Sequence, residues 1–76
     1  SNDKAYYLKH IDETKEKMKW CKGIMIQAFK DKDEDAYKKI QKDAECNAAD
    51  KALREYKHKQ REIQRKKEEQ VRKEKE

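Results

Sequence analysis

The chain contains no Pro and a single Gly, Gly23, among its 76 residues. Turns, hairpin loops and bulges draw on residues that preset or relax φ, and Gly and Pro supply most of that freedom. A chain without them is poorly suited to many short strands joined by tight turns. Lys, Glu, Ala and Gln, all strong helix formers, fill the space instead. The expected fold class is all-α.

Charged residues make up 51% of the chain and the hydrophobic set 33%. A domain of this size and polarity has too little apolar surface for a large interior. The first segment carries Tyr7, Ile11, Thr14, Met18, Cys21, Met25 and Ala28 at alternating spacings of three and four, which is the seam of an amphipathic helix. Helix one is predicted from about Asp3, with Asn2 or Asp3 capping its first turn, to about Lys30. Gly23 costs a helix interior about 1 kcal/mol relative to Ala. The stripe stays in phase across it, so Gly23 is read as a point of close helix approach beside Trp20.

Residues 31–34 are the one plausible turn, with Asp31 and Glu34 as a variant capping box. Helix two is predicted from about residue 35, antiparallel to the first because the connection is short. Ala36, Tyr37, Ile40, Ala44 and Ala48 line one face of it and are expected to meet Cys21, Met25 and Phe29. Ala49, Ala52, Leu53, Tyr56 and Ile63 are rotated well off that face. The helix either breaks near Asn47 or continues and packs on a second neighbour; continuity is the adopted reading, because the residues after Asn47 favour helix.

Residues 1–56 thus read as an antiparallel helical hairpin. Residues 57–76 read as a charged helical extension, frayed toward Glu76 or disordered. Glu55 to Lys59, Glu62 to Lys66, Glu68 to Arg72 and Glu69 to Lys73 are i,i+4 pairs that support it as helix. The Ser1-Asn2 start without Met and the stop in Lys-Glu repeats have the look of a tag remnant and of a cut boundary, so the chain is read as a fragment or a whole protein alike.

No apolar run approaches a membrane span or a signal-peptide core. The expected location is cytoplasmic, or nuclear in a eukaryote. Cys21 and Cys46 could approach across the hairpin, so a disulfide is considered; buried or boundary thiols in a reducing compartment are the adopted reading. A zinc site would need both cysteines with His10 and His58, which antiparallel pairing keeps apart. Asp31, Asp33 and Asp35 copy the start of a calcium loop, but Ala36 and Lys42 stand where it needs Gly and Glu. No catalytic constellation is evident. Neither enzyme activity, cofactor, metal, small-molecule substrate nor membrane partner is expected.

Tyr6, Trp20 and Ile24 form a stripe beside the main seam, more than one partner helix would cover. A contiguous exposed apolar patch marks an association site. The expected function is therefore a protein-interaction or scaffolding module acting through helix packing. Its form is a homodimeric helical bundle or coiled coil, or docking on another protein. Tyr7, Ile11, Met18, Trp20, Ile24, Met25 and Phe29 are the candidate interface residues. The alternative is nucleic-acid binding through Lys57, Lys59, Arg61, Arg65, Lys66 and Lys67, which would neutralise phosphates with a strong salt dependence.

Overall fold

The computed structural model describes residues 2–75; the readings made for Ser1 and Glu76 lie outside it. It is all-helical. Four helices follow one another: α1 (Lys4–Lys9), α2 (Ile11–Lys30), α3 (Glu34–Gln41) and α4 (Ala44–Glu74). They stand where two were expected, because both predicted helices break once.

The first break is at His10, with φ −131° and ψ 63°. Asp3 caps α1 by accepting from the Tyr6 N–H at 2.9 Å. Leaving the helix at His10 lets α1 fold onto α4, where Tyr7, 2% exposed, packs on the fully buried Ala49 and Ala52. Burying one large side chain to that degree stabilises by roughly 2 kcal/mol, enough to offset the loss of helix continuity. Two bonds restrain the corner. The buried Thr14 hydroxyl lies 2.6 Å from the Tyr7 carbonyl and 2.8 Å from that of His10. The Tyr6 hydroxyl donates to Glu13 at 2.6 Å, and this carboxylate raises the Tyr6 pKa.

The second break corrects the continuous helix two. It falls at Lys42 and Asp43, earlier than the change of face at Asn47 suggested. Asp43 adopts extended backbone and caps α4 by accepting from Cys46 N–H at 2.8 Å. The Asn47 amide donates to the Gln41 carbonyl at 3.1 Å. Asn47 is thus a fastener of the junction. The shift in apolar phase reflects two helices of different direction, and the second neighbour of α4 is α1.

Between α2 and α3 the chain turns over Asp31–Asp33. Lys32 N–H donates to the Phe29 carbonyl and Asp33 N–H to that of Ala28, with Lys32 at φ 55°. This is a Schellman arrangement, with Lys where Gly is usual. The α3 cap is Asp33, which accepts from Ala36 N–H, and not Asp31 as expected.

Lys15 lies over the Tyr56 ring and Cys21 is bonded to Cys46, so residues later along α2 meet residues earlier along α4. The two run antiparallel. One core cluster holds Tyr7, Ala49 and Ala52; the other holds Cys21, Ile40 and Cys46, with Ile24 and Met25 against it. Phe29, expected in the core, is 75% exposed, and Ala48 packs with the first cluster and not opposite Met25. From Glu62 to Glu74 every side-chain hydrogen bond and ion pair among the described residues stays within α4. At 1.5 Å per residue that stretch is a rod of about 20 Å.

Candidate functional site

Cys21 and Cys46 form a disulfide, their Cα atoms 6.0 Å apart. This corrects the reading of both as thiols. Antiparallel packing of α2 on α4 brings two small buried residues into the usual range for a bridge. Sequence spacing alone could not show it, since the register depends on the break at Lys42. The bridge ties α2 directly to the start of α4 and closes a loop around α3.

The bridge also forms part of the floor of a groove. Helix α4 has two working sides. Glu45, Ala48, Ala49, Ala52 and Glu55 face α1, whereas Cys46, Asp50, Leu53, Lys57 and Arg61 line two adjoining hollows against α2, of about 450 and 370 Å³. At 100° per residue the two sets are centred roughly 145° apart. Helix α1 therefore closes one side of the α2–α4 seam and leaves the other open. The hollows share Met18, Lys22, Asp50 and Arg54 and run on into each other, with Ile40 and Gln41 of α3 at one end and Arg61 at the other.

Half-buried Met18, Met25 and Leu53 supply the apolar walls. Lys22, Arg54, Lys57 and Arg61 stand around them. Arg54 is paired with Asp50 at 2.9 Å. Among the described residues no carboxylate lies within ion-pair distance of Lys22, Lys57 or Arg61.

The candidate interface residues are dispersed by the fold. Tyr7 is core. Its burial raises the phenol pKa, and the hydroxyl lies 3.4 Å from Glu45. Glu45 also accepts from the Asn2 N–H at 3.0 Å, and that bond, with the nearby Lys17 ammonium, lowers its pKa. Met18 and Met25 line the groove, Ile11 is half-buried, and Ile24 is half-buried against Ile40 and the disulfide. Trp20 is 52% exposed, with Lys17 Nζ 4.4 Å from its ring centroid. Nine residues separate Trp20 from Phe29, a half turn at 100° each, so the two lie on opposite flanks of α2. A partner helix laid along one face of α2 reaches one of them and not the other. Gly23, read as a point of close approach, faces open space; a Cβ there would meet no atom within 4 Å.

Leu53 and Lys22 were missed as site residues. Leu53 had been placed with the second apolar face, and Lys22 is one lysine among many. The only available signal was the pairing of both with Met18, which requires the register of α2 on α4.

The basic candidates do not form one stripe. Lys57, Arg61 and Arg65 fall on one side of α4, Lys59 and Lys66 on another, and Lys67 between them, by the same helical arithmetic. Arg65 is held by Glu62 at 3.2 Å and Glu69 at 3.5 Å, which raises its pKa and, through the hydrogen bond, lowers that of Glu62. Of the four i,i+4 pairs expected, Glu69 with Lys73 is formed; Arg65 takes Glu62 from Lys66 through a fork that reaches both neighbours.

Comparison of the chain with protein-family models, with curated proteins and with solved structures finds no match.

Proposed function

We propose that this protein is a non-enzymatic interaction module that works by helix packing, with the open side of the α2–α4 seam as its docking surface. The observation that carries this reading is the two-sided use of α4. One side is filled by α1 and the other opens on a groove lined by Met18 and Met25 of α2 and Leu53 of α4. Met is well suited to such a role, because its unbranched, polarisable side chain repacks around different partners.

The disulfide supports an oxidising compartment over the cytosolic location first expected, since such bridges are kept reduced in the cytosol. Among the described residues no helix is long and apolar enough to cross a membrane. Nucleic-acid binding is the weaker reading, because the six candidate cations are distributed around α4 and one of them, Arg65, is internally paired.

Sedimentation equilibrium tests the proposal, run on the wild type, Met18→Lys and Leu53→Lys, alone and with candidate partners. The wild type is expected to associate, with itself or with another chain, and both variants to lose that association while circular dichroism shows them folded, with a lowered thermal midpoint in Met18→Lys because Met18 also packs on the Tyr7–Ala49–Ala52 cluster. A wild type that stays monomeric and retains no partner removes the basis of the reading.

A further inference from the structure

Resting on that reading, we infer that the occupant of the α2–α4 groove is an acidic amphipathic helix belonging to a different protein chain. The geometry selects a helix. The groove walls are themselves helices whose backbone groups are bonded internally, so no sheet edge is offered to an extended peptide, and recognition has to come from side-chain packing into the seam. Between Cys46 and Arg61 the α4 wall is about 22 Å long, room for roughly four turns. With α1 on the far side, a helix laid here completes a four-helix arrangement around the same seam.

Charge selects an acidic one. Lys22, Lys57 and Arg61 border the apolar strip of Met18 and Leu53; the carboxylate in the same hollow, Asp50, is paired with Arg54, and none of the described residues forms an ion pair with the three cations. An incoming helix with an apolar stripe flanked by Glu or Asp would find a cation beside each edge. Complementarity of this kind speeds encounter and excludes wrong partners. A second copy of this chain fits worse. Its net charge is +5, its own α2 and α4 are lined with Lys and Arg beside their apolar positions, and α3, at eight residues, is too short to fill the groove.

The test uses two synthetic amphipathic helices of about 18 residues, alike in their Leu stripe and flanked by Glu in one and by Lys in the other. The oxidised full chain is expected to bind the Glu helix, more weakly as salt rises, and to reject the Lys helix. Reversing the rim in Lys22→Glu/Lys57→Glu/Arg61→Glu should weaken the Glu helix by about tenfold or more and admit the Lys helix. The control Lys59→Glu/Lys66→Glu/Lys67→Glu changes net charge equally away from the groove and should leave the Glu helix bound. Circular dichroism confirms that each variant is folded.

Equal binding of both helices, or equal losses in the two triple variants, overturns the inference. So does self-association that Leu53→Lys dissolves while neither helix binds, an outcome that leaves the interaction reading standing. If the chain neither self-associates nor binds any helix, both fail.

Discussion

The Thr14 hydroxyl lies 2.6 Å from the carbonyl of Tyr7, a group that loses its i+4 partner at the break between α1 and α2 and accepts the His10 N–H at 3.3 Å instead. Thr14 is fully buried, so no water replaces the bond. Thr14→Val keeps shape but removes the donor and leaves the carbonyl with the longer His10 N–H bond, which should cost about 0.5 to 1.5 kcal/mol in urea unfolding. Thr14→Ser keeps the donor and should lose less. Equal losses in both variants would show that the methyl group, and not the bond, holds the corner.

The Cys21–Cys46 bridge spans 25 residues of sequence. Constraining a loop of that size in the unfolded chain is worth about 3 to 4 kcal/mol, a large share of what so small a domain can have. Cys21→Ser/Cys46→Ser, or reductant added to the wild type, should lower the thermal midpoint sharply. Thiol titration of the denatured oxidised protein should find no free thiol; two would disprove the bridge.

Gly23 and Lys32 occupy positions that suit each other's residue. Gly23 is helical with open space at its Cβ position, and Lys32 holds φ 55° at the end of α2. Gly23→Ala should stabilise by about 0.5 to 1 kcal/mol. Lys32→Gly should gain about 1 kcal/mol by relieving left-handed backbone. Both gains should appear as raised midpoints, and a loss in Gly23→Ala would indicate that something packs there in solution.

Acid should weaken the attachment of the N-terminal segment. Glu45 has its pKa lowered from 4.5 by the Asn2 N–H, with Lys17 and the Tyr7 hydroxyl adding to the effect. A carboxyl depressed on folding contributes stability that is fully present above its unfolded value and is lost as pH falls through the folded one. The midpoint should therefore drop on acidification below about 4.5, and Glu45→Gln should flatten that part of the profile. An unchanged acid limb in the variant would assign the pH dependence elsewhere.

The residue pattern determined the all-helical class, narrowed the first cap to Asn2 or Asp3, put the end of the first long segment near Lys30 and left the charged stretch after Lys57 either helical or disordered. Each follows from local physics: propensity, capping geometry and 3.6-residue periodicity act over one or two turns. The change of apolar face near Asn47 was also legible, but its cause was not.

Only the tertiary structure decided where the helices break, that Cys21 and Cys46 meet, and that Met18 and Leu53 form one groove while Trp20 and Phe29 point to opposite flanks. His10 and Lys42 carry no helix-breaking signature of their own. They leave the helix because doing so lets Tyr7 reach Ala49 and lets Ile40 and Cys46 close on Cys21, gains that exist only once distant segments touch. The single Gly followed neither break. In a chain with so little apolar surface, the placement of a few buried side chains outweighs local preference, and the same scarcity leaves one side of the α2–α4 seam open.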